Sequence, residues 1–296
     1  MSLAPFTIAT ATILCGLAVI HAIFDGSSNH IQRSLMLTSI FLYGIFLEVI
    51  GIISGHHYYA EEAIMFFGIV PLSIPLAWVG IIYSSMIITE RLNLSLGVGI
   101  LTTSLLALSF DWGMDPIAVS LGSWTWKFEG GSFFGIPSFN FTGWFIISIA
   151  YLISYNLNWC REKKRLQILT IREINNHNSL YRKIYTIFLA VPLALLLMLS
   201  IGSITLTSFL YNLPLIIVII FEILTISFVS IMILIKRENL ECVNLFDIVA
   251  PTILIYMAYS YLFLAMITGE VFLAIHMLIT GIPFVLVLIF TLRKIK

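Results

Sequence analysis

The sequence predicts an all-α, polytopic transmembrane bundle of about nine helices, and three observations carry that prediction. Of the 296 residues, 60% are apolar and only 10% are charged. The mean hydropathy is +1.05. The apolar residues also fall in runs of the length that a bilayer core requires, roughly 20 residues each. A soluble domain of ordinary composition has about 25% charged residues, so this chain lacks the charge to cover a surface facing water. Nine spans use roughly 180 residues, which leaves little chain for anything else. Residues 1–296 therefore read as a single integral membrane domain.

The runs place helices at about 5–24, 35–54, 64–89, 96–117, 139–159, 184–210, 214–235, 247–267 and 271–292. The first run lacks the basic flank of a signal peptide and reads as a retained span. The short connections at Tyr211–Leu213 and Thr268–Glu270 are the places where two runs could merge, so the count ranges from seven to nine. Prolines 71, 75, 192, 251 and 283 fall inside predicted spans. Each removes a backbone hydrogen bond and kinks its helix, and Pro71 with Pro75 should bend the third span near its outer end.

Orientation follows from the basic residues. With the N-terminus outside, the cytoplasmic side holds Arg33, Arg91, Arg161, Lys163, Lys164, Arg165, Arg172, Arg182, Lys183, Lys236, Arg237, Arg293, Lys294 and Lys296. That is 14 of the 15 basic residues, with Lys127 alone outside. The C-terminus is then cytoplasmic. The basic segment 161–183 reads as a cytoplasmic loop between a five-helix half, 1–160, and a four-helix half, 184–296. Its charge suits an anionic leaflet, so membrane lipid is an expected partner and nucleic acid is not. A multi-pass protein of the cell membrane is the expected localisation.

Carboxylates inside spans are the informative polar residues, because an ionised Asp at a helix centre costs about 2.5–3.5 kcal/mol on insertion scales. Glu48, Asp111, Asp115 and Glu222 lie within predicted helices, and Asp25 and Asp247 near their cytoplasmic ends. Asp111 and Asp115 are one turn apart and share a helix face, with Pro116 following at once. Two such carboxylates in a low dielectric do not both ionise, and a neutral acid beside a carboxylate is an acid–base pair. The competing reading is a polar clamp between helices. Glu48 reads equally as packing glue or proton donor, and Glu222 as packing glue.

After Asp115 the chain reads DPIAVSLGSWTWKFEGGSFFGIPSFNFTGW. Its Trp and Phe residues suit either an interfacial aromatic belt or a folded outer loop that caps the bundle. The Gly-Gly pair, Pro137 and Asn140 fit the cap better, with aromatic faces turned to an apolar or cationic guest. Six histidines, at 21, 30, 56, 57, 177 and 276, cannot supply the boxes of a di-iron hydroxylase. His276 reads as hydrogen-bonded structure. Cys15, Cys160 and Cys242 are far apart and suggest neither a disulfide nor a thiolate metal site.

The segment 105–144 resembles the carotenoid-biosynthesis membrane protein family, which contains bisanhydrobacterioruberin hydratase and the gamma-carotene 1'-hydratase. The likeness rests on Asp111, Asp115-Pro116, Gly122, Trp124-x-Trp126, Gly135-Ile136-Pro137, Asn140 and Gly143-Trp144. A second patch is similar at Glu48, Gly51, Gly55 and Tyr58, then Pro71, Pro75, Ala77-Trp78 and Tyr83. The C-terminal half carries no matching motif.

That resemblance implies a hydratase of the carbon–oxygen lyase class, acting on a carotenoid or other long isoprenoid without a cofactor or metal. Proton donation gives a tertiary cation that water captures. It implies Asp111 and Asp115 as acid and base, in either order, with Glu48 assisting. The expected substrate-binding residues are Trp78, Tyr83, Trp112, Trp124, Trp126, Asn140, Trp144 and Tyr58, most of them converging on an elongated apolar cavity open to lipid. Other carotenoid-pathway enzymes are expected partners. Two rival readings stay open. One is a transporter or isoprenoid-binding protein, since kinked helices and intramembrane acids suit a proton-coupled carrier. The other is a prenyltransferase, for which DWGMD supplies one acidic motif where such enzymes need two.

Overall fold

In the computed structural model of the chain, residues 4–24, 30–127, 132–168, 179–206, 213–240 and 245–294 are described. Among them are ten α-helices: α1 (Ala4–Phe24), α2 (His30–Ile53), α3 (Ser73–Arg91), α4 (Leu96–Ser120), α5 (Ser138–Ile168), α6 (Ser179–Leu206), α7 (Leu215–Lys236), α8 (Val249–Ile267), α9 (Val271–Thr280) and α10 (Ile282–Lys294). Three short antiparallel strand pairs lie in the connections. They join β1 (His57–Tyr59) to β4 (Trp124–Trp126), β2 (Met65–Phe66) to β3 (Val70–Pro71), and β5 (Ser132–Phe133) to β6 (Ile136–Pro137).

Among the described residues, five helices are long and apolar enough to cross a membrane, namely α2, α3, α4, α7 with its 3-10 extension Arg237–Asn239, and α8. The pair α9 and α10 makes a sixth if it counts as one broken span, bent by 48°. The break falls at Gly281, two residues before Pro283, so the predicted ninth span is kinked where its proline stands.

The third predicted span is corrected. Residues 64–72 are not helical: they form the β2–β3 hairpin, turned by Phe67 and Gly68 at φ 53° and 71°. Ile69 N–H donates to the Phe66 carbonyl at 3.0 Å and closes a turn whose two central residues take positive φ. That conformation suits Gly68 and is strained at a bulky residue such as Phe67. Pro71 therefore sits in a strand. Pro75 is the third residue of α3, among the first N–H groups that have no intrahelical acceptor in any case. Neither bends the helix. Both ends of the basic segment predicted as a loop are helical, because α5 runs on to Ile168 and α6 begins at Ser179. Residues 169–178, with His177, lie outside the described residues, as does Asp25.

At the centre is α4. Every residue from Thr102 to Ala118 is buried, because α4 packs against α3, α5, α7, α8 and α9. A helix buried on all sides needs apolar or small residues all round, and Gly113 shows why one must be glycine. A Cβ there would collide with Met277 and Thr280 of α9. By contrast, α7 turns Leu215, Ile216, Ile220, Ile223 and Leu224 outward, a face suited to acyl chains.

The far end of α3 is tied by a polar cluster. Arg91 pairs with the Asp247 carboxylate and donates to the Asp247 carbonyl at 2.6 Å. Its other nitrogen is 3.0 Å from His21 Nε2, and His21 Nδ1 is 2.8 Å from the Tyr83 hydroxyl.

Candidate active site

Two helix ends aim the site's loops at each other. After α2, Gly55 (φ 77°) donates to the Ile52 carbonyl and His56 to the Gly51 carbonyl, and after α4, Gly122 (φ 72°) donates to Val119 and Ser123 to Ala118. Both are the paired closing bonds of a Schellman stop, which needs a left-handed residue and so favours glycine. The chain thus leaves each helix in a fixed direction, and β1 meets β4 in register, with His57 opposite Trp126 and Tyr59 opposite Trp124.

Strand side chains alternate between faces. The inward set is His57 and Tyr59 from β1 with Trp124 and Trp126 from β4. Tyr58 and Thr125 face outward. The loop is therefore a folded cap. The belt reading fails for both indoles, since Trp124 is buried and Trp126 packs on His57 and Phe139, with ring centroids 5.0 and 5.7 Å apart.

Beneath the cap lie the two aspartates of α4, each 1% exposed. Asn140, in the first turn of α5, donates from Nδ2 to Asp111 Oδ2 at 3.0 Å and to Asp115 Oδ2 at 2.6 Å. Trp124 Nε1 donates to Asp115 Oδ1 at 2.5 Å. Pro116 does not end the helix, which continues to Ser120. Three polar atoms in this region are buried without a good hydrogen bond among the described residues: Asp111 Oδ1, Trp126 Nε1 and His57 Nδ1.

A third carboxylate faces the same space from α2. Glu48 accepts from Trp78 Nε1 at 2.8 Å and from the Tyr59 hydroxyl at 2.6 Å, and lies 3.2 Å from His57 Nε2. Burial and the adjacent Glu48 charge push the Tyr59 hydroxyl well above the ordinary tyrosine range, so it stays a donor. Burial, with His57 next to it, pushes the His56 imidazole down. Trp78 in turn stacks on Trp144, centroids 4.1 Å apart and 11° from parallel. Glu48 is thus a pinned acceptor backed by two stacked indoles.

These groups wall a cavity of about 570 Å³. Its polar wall is Glu48, Asp111, Asp115 and Asn140, and its aromatic wall Trp78, Trp124, Trp126 and Trp144. Apolar side chains of α1, α6 and α8 extend it. Eight sequence-predicted site residues therefore meet in one space.

Three do not reach it. Tyr58 is 48% exposed, under the Lys127 ammonium at 5.4 Å from its ring centroid, because strand alternation turns it outward. Tyr83 is buried further along α3, against His21. Trp112 is on another face of α4, stacked on Phe141 with centroids 3.7 Å apart.

Sequence reasoning missed His57 and Tyr59, which alternation in H-H-Y-Y around an inward Glu48 could have suggested. It also gave Glu222 no partner. Glu222 lies 2.6 Å from His276 Nε2, across α7 and α9. Among the described residues, no three His, Cys, Asp or Glu side chains are grouped to hold a metal ion.

Comparison with known proteins covers this region. The chain is similar to bisanhydrobacterioruberin hydratase of Haloarcula japonica, 22% identical over 173 residues, which are 55% of this chain and 58% of that protein. The chain thus spans little more than half the length of that relative. No solved structure matches it. Residues 8–213 match the family described as carotenoid biosynthesis protein, a stretch that holds Glu48, both aspartates, Asn140 and the cap. With that match over more than half of its residues, the chain belongs to the carotenoid biosynthesis protein family.

Proposed function

We propose that the protein is a carotenoid hydratase of the membrane, adding water across the terminal trisubstituted double bond of an acyclic isoprenoid end group to give a tertiary alcohol. The observation that carries this reading is the pair Asp111 and Asp115, joined by Asn140 and buried in the wall of an aromatic cavity. Family membership and the relative's hydratase name support it.

The chemistry matches the groups present. Protonation of the double bond leaves a tertiary cation, which indole faces and a fixed carboxylate stabilise. Trp78, Trp144 and the pinned Glu48 supply both. Water then bonds to the cationic carbon and loses a proton to a carboxylate. A polyene is as apolar as the acyl chains around it, so it enters sideways from the bilayer. No electrons are transferred in this reaction, so it calls for no redox cofactor.

Pigment analysis tests the reading. A host that makes acyclic carotenoids, given this gene, should accumulate carotenoids heavier by one water for each modified end. An unchanged profile, or the addition of a prenyl unit, would reject it.

A further inference from the structure

The hydrogen bonds around the two aspartates are unequal. Asp115 accepts at both oxygens, from Trp124 on Oδ1 and from Asn140 on Oδ2. Asp111 accepts from Asn140 at Oδ2 alone, while its Oδ1 is buried with no protein partner among the described residues. Indole N–H and amide NH₂ are donors only. A carboxyl proton therefore sits best on the one oxygen that no N–H group addresses, and two donors against one favour the negative charge on Asp115.

Resting on the hydratase reading, we propose that Asp111, through Oδ1, is the proton donor and that Asp115 is the base for the incoming water. In the first step the Asp111 O–H bond breaks and its proton bonds to the less substituted alkene carbon, using the π pair. The more substituted carbon becomes the tertiary cation. The oxygen of water bonds to that carbon and passes one proton to Asp115, whose oxygens each keep a second lone pair. The sum is one water added. The cycle closes when the proton on Asp115 returns to Asp111 through solvent. Asn140 is a positioning residue that holds the two carboxyl groups at one amide.

Turnover in heavy water separates the roles. Wild type should place one solvent deuterium on the carbon next to the new alcohol. Asp115→Asn keeps the donor, so reversible protonation should put deuterium into unhydrated carotenoid while water addition falls at least about 100-fold. Asp111→Asn should take up neither deuterium nor water. Infrared spectra of the purified proteins read the same split without turnover. One protonated-carboxyl component should be lost in Asp111→Asn and kept in Asp115→Asn. Deuterium uptake by Asp111→Asn but not by Asp115→Asn, or a protonated carboxyl lost with Asp115 instead, overturns the assignment. A wild type that hydrates no acyclic carotenoid rejects the hydratase reading instead, whatever the infrared split.

Discussion

Trp124 donates its indole N–H to Oδ1 of Asp115, so the loop that caps the cavity is bonded to the acid pair it covers. The ring also forms part of the cavity wall. One residue thus combines an aromatic surface with a donor to a carboxylate, and substitution can separate the two. Trp124→Phe keeps most of the surface and removes the donor. A hydrogen bond to a charged group is worth about 1.5–3 kcal/mol, so hydration should slow about ten- to hundredfold. Initial rates of carotenoid hydration in membranes carrying equal amounts of protein measure this, and a Trp124→Phe variant at wild-type rate would show that the bond is structural only.

The acid pair makes a sharper prediction. Asp111→Asn and Asp115→Asn each preserve size and some hydrogen bonding while removing the transferable proton. General acid–base assistance is worth about 10²–10⁴-fold, so each variant should lose nearly all hydrated product while accumulating in the membrane like wild type. Asp115→Glu should keep measurable activity, because the carboxyl group survives with altered reach. Near-normal hydration by both Asn variants would make the pair a structural clamp.

The spacing of Asp111 and Asp115 alone showed that they share a face, and six of the other residues singled out in the sequence also meet on the cavity wall. Helical periodicity is local, so it is readable from a single sequence. What escaped was set by non-local pairing. The outward turn of Tyr58 depends on β1 finding β4, more than 60 residues away. Glu222 and His276 are 54 residues apart and meet only because α7 and α9 both pack on α4. Trp112 resembled its tryptophan neighbours in type, but it directly follows Asp111, which turns it about 100° round the helix from that acid and onto Phe141. The β2–β3 hairpin hid inside an apolar run that hydropathy alone cannot distinguish from a helix.

The Glu222–His276 pair gives a stability prediction independent of chemistry. Both side chains are about nine-tenths buried, 2.6 Å apart, and His276 also lies edge-on to Phe133 of the cap, with centroids 5.4 Å apart. Interhelical hydrogen bonds in membranes are worth about 1–2 kcal/mol at most in model peptides. His276→Leu should therefore lower the thermal midpoint in detergent by leaving Glu222 unpartnered. Combining it with Glu222→Leu should recover much of the loss, since neither partner is then left unsatisfied. A double variant less stable than both single ones would contradict this account.

The last prediction concerns orientation. Fourteen of the 15 basic residues fall on one side if the N-terminus is outside. Under that arrangement the far end of α5 and the start of α6 lie at the cytoplasmic face, and the cap carrying Trp124 and Trp126 lies at the outer one. On a background lacking Cys15, Cys160 and Cys242, a cysteine introduced as Thr125→Cys, on the outward face of β4, should react with an impermeant maleimide in intact cells. A cysteine introduced as Asn176→Cys should react only after the membrane is opened. Thr125→Cys is the more direct probe of the site, because it reports the side of the membrane on which the cap over the acid pair lies. Labelling of Asn176→Cys from outside intact cells would invert the topology and place the cap, with the acid pair beneath it, toward the cytoplasmic side.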